Sequence, residues 1–219
     1  MFVGHLGAGL VAKAADRKNN LGVLFVAAML LDAVLWILAL AGAEHMNVPA
    51  DYASGHYLTF DFPYSHSLLG AIVWAAAAAL LWRIFAREGG PMTGAVIIAL
   101  TVLSHWVLDA LVHAPELSLW GDASPRVGFD LWDHQPWALA VELVIALAGL
   151  ILFWRGKAPV LWRKLAVAAL VVIAAAFTAI GAYATQPPPG VAPIATTSLI
   201  IIVVFSVLAG FADVGKKAT

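Results

Sequence analysis

Long apolar stretches separated by short polar ones dominate the hydrophobic pattern of the chain. Six of them are long enough, or nearly so, to cross about 30 Å of hydrocarbon as helices rising about 1.5 Å per residue. A seventh apolar segment, residues 2–15, is shorter, and we expect it to enter the membrane only partway. The pattern predicts an all-α polytopic integral membrane bundle of six transmembrane helices plus a short N-terminal membrane-inserted helix. The six predicted spans are residues 21–41, 66–82, 91–113, 136–154, 165–185 and 194–211.

Polar residues divide this bundle into two predicted parts. Residues 1–155 form a membrane domain that carries most of the ionisable side chains within the spans. Residues 156–219 form a C-terminal apolar helical hairpin, which we expect to act as scaffold or as a contact in a homo-oligomer.

Basic residues fall on one side of the predicted spans, with Arg126 alone on the other. The positive-inside rule makes the first side cytoplasmic, together with the C-terminus. The two long connections, residues 42–65 and 114–135, then face outward, and their length favours lids or binding loops. The cytoplasmic set is Lys13, Arg17, Lys18, Arg83, Arg87, Arg155, Lys157, Arg163, Lys164, Lys216 and Lys217.

The composition agrees with a membrane environment and narrows the chemistry. Hydrophobic residues make up 63% of the chain, charged residues 11%, and the mean hydropathy is +0.91. No basic stripe is present to hold a phosphate backbone, which excludes a nucleic-acid partner. Because the chain has no cysteine, a metal site must use imidazole, carboxylate or water ligands.

Three ionisable side chains, His105, Asp109 and His113, lie four residues apart within the apolar run 91–113. Spacing of four and eight places them on one face of a helix. An ionisable group inside a membrane span costs at least about 2.5 kcal/mol, so such groups usually line a cavity, form a pair or take part in chemistry. The face is therefore a functional hypothesis.

Other polar side chains reach a similar depth when residues are counted from the basic clusters at about 1.5 Å each. If the helices form a bundle, these side chains share one pocket open to the outside. Three of them are carboxylates with no lysine or arginine in the spans, so either some hold protons or an external cation neutralises them. Imidazole and carboxylate ligands favour a divalent metal, zinc first, with manganese or iron as alternatives. The converging residues are His5, Asp32, His66, His105, Asp109 and Glu142.

Four short elements also resemble a known family. They are Gly4-His5, Leu30-Leu31-Asp32, Ser65-His66-Ser67-Leu68-Leu69, and Leu103-Ser104-His105 followed by Asp109. In this order, over roughly residues 1–145, they resemble the bacterial inner-membrane metal-dependent hydrolases, distant relatives of zinc-dependent phospholipase C. Leu31 and Val34 stand where that family has proline and a second aspartate.

The resemblance implies a bacterial inner-membrane metal-dependent hydrolase, and the residues present would hold the metal on His66, His105 and Asp109, completed or bridged by His5 and Asp32. The metal would lower the pKa of a bound water toward ~7. Glu142 or Asp32 would be the general base, and the substrate an ester or phosphoester of a surrounding lipid. Glu142, His113 and His134 lie outside the family pattern, and the two histidines are additional ligand candidates.

Other roles for the same residues remain open. His105 and Asp109 could form a hydrogen bond that stabilises their helix, and Glu142 could bond to a neighbouring helix. Asp32 could interact with a helix terminus if its span breaks there. At the level of function, the alternatives are transport of protons or metal ions and a scaffold with a structural metal.

Overall fold

The computed structural model describes residues 1–55, 57–85, 92–121, 123–155 and 160–213. It is mostly helical, at 72% helix with little strand, which confirms the predicted helical character. The helices are α1 (Val3–Ala15), α2 (Leu21–Ala28), α3 (Leu30–Leu40), α4 (Tyr52–Gly55), α5 (Leu68–Phe85), α6 (Met92–Val112), α7 (Gln135–Arg155), α8 (Leu161–Ala182) and α9 (Val191–Asp213). A 3-10 turn, Leu131–His134, precedes α7, and the strands are β1 (His45–Asn47), β2 (Thr59–Asp61), β3 (Leu117–Ser118) and β4 (Arg126–Val127).

Five helices, α5 to α9, are each long and apolar enough to cross a membrane. The predicted continuous span 21–41 is instead two helices, α2 and α3, bent by 54° at Met29. If this pair counts as one span, the described part of the chain has up to six. Large apolar side chains such as Leu80, Val144 and Val172 are exposed on the outside of these helices. The described part of the chain therefore has the long apolar helices typical of a membrane protein.

Helix α1 lies inside the bundle and packs most closely against α7. A Cβ atom at Gly7 would lie 2.7 Å from Ala146 Cα, and one at Gly149 would lie 2.4 Å from the Gly7 carbonyl oxygen. Since neither position has room for a side chain, the two helix backbones approach almost to contact. This contact fixes the depth at which α1 presents His5.

The basic end of the bundle is fastened by polar contacts between helix termini. Lys13 forms a 2.7 Å ion pair with Asp213, and Asn19 Nδ2 donates to the Gly94 carbonyl over 3.2 Å. The ends of α1 and α9 and the start of α6 therefore lie together. Four residues of the predicted cytoplasmic set, Arg87, Lys157, Lys216 and Lys217, lie outside the described residues.

At the opposite end, each long connection contains a small antiparallel hairpin. Strand β1 pairs with β2, and β3 pairs with β4. The Phe60 N–H donates to Glu116 Oε2 over 2.8 Å, and the Leu69 N–H donates to the Leu119 carbonyl over 2.9 Å. The two connections are thus tied to each other and to the start of α5.

One apolar core joins the C-terminal helices to the rest of the molecule. Buried residues from α1, α2, α7, α8 and α9 belong to it, among them Phe25, Val167 and Phe205. The hairpin of α8 and α9 shares this core with the part of the chain that carries the ionisable residues.

Candidate metal centre

Five of the predicted ligands meet at one place, on the side of the bundle near the long connections. His5 comes from α1, Asp32 from α3, and His105 and Asp109 from α6, while His66 precedes α5. The side chain of Asp32 is 22% exposed and faces a cavity, whereas the side chains of the other four residues are at most 2% exposed. We call these five residues the His/Asp cluster.

Three ligand atoms of the His/Asp cluster have the spacing of a metal site. His66 Nε2 lies 3.3 Å from His105 Nε2, and Asp32 Oδ1 lies 3.6 Å from each of them. Nitrogen and oxygen ligands bind Zn²⁺ at about 2.0–2.2 Å, so a tetrahedral site separates them by about 3.3–3.6 Å. The triangle formed by Asp32, His66 and His105 therefore fits one face of a zinc tetrahedron.

A second group overlaps the first at His105. His5 Nε2 lies 3.0 Å from Asp109 Oδ1, and His105 Nε2 lies 3.1 Å from Asp109 Oδ2. The two imidazole rings stack with centroids 3.7 Å apart and an angle of 6° between their planes. The amino group of Met1 also lies 3.3 Å from Asp109 Oδ1. Asp109 thus faces His5 with one oxygen and His105 with the other.

The helix break at Met29 serves this site directly. His105 Nδ1 lies 2.7 Å from the carbonyl oxygen of Ala28, the last residue of α2. A carbonyl acceptor holds the proton on Nδ1, which leaves the Nε2 lone pair directed at Asp32 and His66. Asp32 lies in the first turn of α3, which agrees with the alternative prediction that it interacts with a helix terminus. Its Oδ1 also faces the imidazoles of His66 and His105.

His66 is held by a buried chain of polar groups in the first connection. Its Nδ1 lies 2.7 Å from Ser65 Oγ, which donates to Glu44 Oε2 over 2.7 Å. Glu44 is 1% exposed, and its Oε1 accepts the N–H groups of Tyr64 and Ser65. Sequence reasoning missed Glu44, because nothing along the chain relates it to His66. The one signal was the hydroxyl of Ser65, which needs an acceptor when it is buried beside a histidine.

The remaining candidates lie around the His/Asp cluster or away from it. His113 Nε2 is 3.9 Å from Asp109 Oδ2, while its Nδ1 bonds to Glu116. Glu142 Oε2 accepts the N–H groups of Phe2 and Gly4 at the start of α1, as its alternative role predicts. His134 is exposed in the 3-10 turn and is not part of the cluster.

A cavity of about 520 Å³ opens beside the His/Asp cluster. Asp32, His66, His113 and Glu142 line it together with aromatic side chains of the connections. Burial, followed by the charges of Asp130 and other nearby acids, raises the pKa of Tyr57, another lining residue. Its hydroxyl therefore stays protonated and available as a donor.

No family model, no curated protein and no solved structure matches the chain.

Proposed function

We propose that this protein is a membrane-embedded, metal-dependent hydrolase that acts on a lipid or another phosphoester from the outer face of the membrane. The triangle of Asp32, His66 and His105 carries the proposal, because its three edges match a zinc tetrahedron. Asp109 Oδ2, which lies 3.1 Å from His105 Nε2 and 3.4 Å from His66 Nε2, or a water can take the fourth position, and a water there is the arrangement of catalytic zinc sites. The resemblance of the four short sequence elements to inner-membrane hydrolases supports the same conclusion.

In the proposed hydrolysis, metal binding and proton acceptance fall to different residues of the site. A divalent ion, zinc in the first instance, would polarise the scissile ester or phosphoester and activate water near neutral pH. Asp32, His66 and His105 would hold the ion, while Asp109 Oδ1 lies 3.0 Å from His5 Nε2 and holds that ring beside the site. With Asp32 bound to the ion, Glu142 is the remaining carboxylate on the cavity wall that can accept a proton.

Glu142 also bonds to the start of α1, and glutamine separates its two roles. Glu142→Gln keeps an oxygen that can accept the N–H groups of Phe2 and Gly4 but cannot serve as a base. We expect kcat to fall by about 10²–10⁴-fold with metal content and folding unchanged. An unchanged kcat would leave Glu142 as a purely structural residue.

The proposed setting is a bacterial inner membrane, crossed six times with α2 and α3 as one bent span. Helix α1 is the short inserted segment, since its 13 residues extend only about 20 Å. The basic residues of one bundle end support a cytoplasmic C-terminus, and the His/Asp cluster then faces the outer side.

Transport of protons or metal ions is the alternative that this site must be weighed against. A transport path has to continue from the His/Asp cluster to the basic end of the bundle. Among the described residues, the buried side chains on that route are mostly apolar, including Leu10, Leu24 and Ile98. Because these side chains offer no continuous polar path to the basic end, the arrangement favours hydrolysis over transport.

The test uses the purified full chain in vesicles of mixed zwitterionic and anionic phospholipids. We expect release of fatty acid or of a phosphorylated headgroup that stops with a chelator and returns with Zn²⁺. His66→Ala should abolish it, whereas His134→Ala, an exposed histidine outside the cluster, should not. Zinc uptake into the vesicles without any hydrolysis would overturn the proposal in favour of transport.

A further inference from the structure

The cavity beside the His/Asp cluster extends to helices that contribute no metal ligand. Besides Asp32 and His66, it is lined by α8, through Phe177 and Gly181, and by α9, through Ser198, together with other mostly apolar residues. The hairpin of α8 and α9 is therefore part of the wall of the functional cavity, although its sequence predicted only scaffold or an oligomer contact.

The cavity wall includes exposed apolar side chains of α8. Phe177 and Ile180 both line it and are 47% and 70% exposed. Polar groups at Tyr57 and Gln135 line it as well, near the long connections. A molecule in this cavity thus meets candidate metal ligands and hydrogen-bonding residues on one side and apolar side chains of α8 and α9 on the other.

This distribution of polarity fits an amphiphile. We propose that the α8–α9 hairpin binds the hydrocarbon tail of the substrate, whose ester or phosphoester head lies at Asp32, His66 and His105. The inference rests on the proposed function and specifies its substrate class as a membrane lipid that enters laterally. A volume of about 520 Å³ lies in the range of about 300–1,000 Å³ typical of small-molecule sites, so the cavity accommodates a tail rather than a whole bilayer lipid.

Gly181 offers a way to narrow the cavity without disturbing the packing. A Cβ atom added there meets no other atom within 4 Å, and the residue lies in regular helix. Gly181→Trp therefore introduces bulk at the cavity wall, and Ser198→Phe does so from α9. Val172→Trp is the matched control, because Val172 lies on the same helix as Gly181, is 67% exposed and does not line the cavity.

The measurement is the affinity for butyl-, octyl- and dodecylphosphonate, which share a metal-binding head and differ in tail length. Titrations use the full chain in lipid nanodiscs, with and without Zn²⁺, so that partition into the bilayer is equal for all variants. We expect the native affinity to rise with tail length. Gly181→Trp and Ser198→Phe should each weaken dodecylphosphonate binding by at least about tenfold, the loss expected if about two methylene groups lose their burial. Their butylphosphonate binding and all binding by Val172→Trp should be unchanged.

The two proposals fail in different ways. If butylphosphonate binds only with Zn²⁺ but tail length has no effect in any variant, the tail site is overturned and the metal site stands. If dodecylphosphonate binds without Zn²⁺ and both narrowing variants lose it, the tail site stands and the metal site fails. Equal dodecylphosphonate affinity in the native chain and in both narrowing variants overturns the tail site.

Discussion

His66 and His5 lie near different oxygens of Asp109. Of the two, only His66 has a hydrogen-bond partner on its second ring nitrogen. His66 Nε2 lies 3.4 Å from Oδ2, and its Nδ1 is bound through Ser65 to the buried carboxylate of Glu44. His5 Nε2 lies 3.0 Å from Oδ1, yet its buried Nδ1 has no hydrogen-bond partner among the residues that the structure describes. The two imidazoles thus differ in whether the second ring nitrogen has a hydrogen-bond partner.

The difference indicates which residues form the primary site. Histidine ligands of metals almost always bond through the second ring nitrogen to a carboxylate, carbonyl or water, which fixes the tautomer and the orientation of the ring. His66 and His105 both meet this condition, through Ser65 and through the Ala28 carbonyl. We therefore propose Asp32, His66 and His105 as the ligands of a primary ion, with His5 and Asp109 beside it.

The largest effect is expected from His105→Ala, because His105 belongs to both ligand groups. Zinc should stabilise the native chain by about 2.7 kcal/mol when its free concentration is about 100 times the Kd. The variant should lose this stabilisation, measured as the zinc-induced shift in the unfolding midpoint. His134→Ala is the control and should keep the full shift. An equal shift in His105→Ala would mean that zinc binds elsewhere.

A smaller effect is expected when the support of His66 is weakened. Glu44→Gln keeps an oxygen for the N–H groups of Tyr64 and Ser65 but removes the charge behind Ser65 and His66. We expect zinc affinity to fall by about 10–100-fold, the usual cost of losing an outer partner of a ligand. Competition with a chromogenic chelator measures this affinity directly.

The control for Glu44→Gln is Glu116→Gln. Glu116 lies in the other long connection and bonds to His113 and to the Phe60 N–H rather than to His66. Its substitution should leave zinc affinity close to native. Equal losses in the two variants would show that general loosening of the connections, and not the support of His66, determines affinity.

The smallest effect is expected from His5→Ala. The primary ion retains Asp32, His66 and His105, so one ion per chain should remain, with affinity lowered by less than about tenfold, below the usual cost of losing an outer partner. Elemental analysis and chelator competition check this result. If His5→Ala loses zinc as completely as His66→Ala, the distinction between the two sides of the cluster is wrong.

Hydropathy predicted much of the fold, because long apolar helices follow from composition alone. The break at Met29 was not predictable in this way. Neither Gly nor Pro interrupts residues 24–33. The Ala28 carbonyl that the break leaves free accepts a hydrogen bond from His105 Nδ1, on another helix. A tertiary contact between residues 77 positions apart leaves no periodic signal.

The candidate ligands were predictable from the free-energy cost of placing an ionisable group within an apolar span. His105 and Asp109 lie where an ionisable group is expensive, and counting depth along each span placed His5, Asp32 and His66 at a similar level. Glu44 lies in a polar connection, where a carboxylate is ordinary, so its burial behind Ser65 and His66 follows only from how that connection folds.

The metal content of the purified protein tests the central claim most directly. The full chain is purified in detergent from cells supplied with zinc, manganese and iron, without chelators, and analysed beside a His105→Ala, Asp109→Ala double variant. We predict stoichiometric divalent metal, zinc first, in the native protein and none in the double variant. Native protein without stoichiometric metal, or equal metal in both proteins, would contradict the metal site and with it the proposed hydrolase.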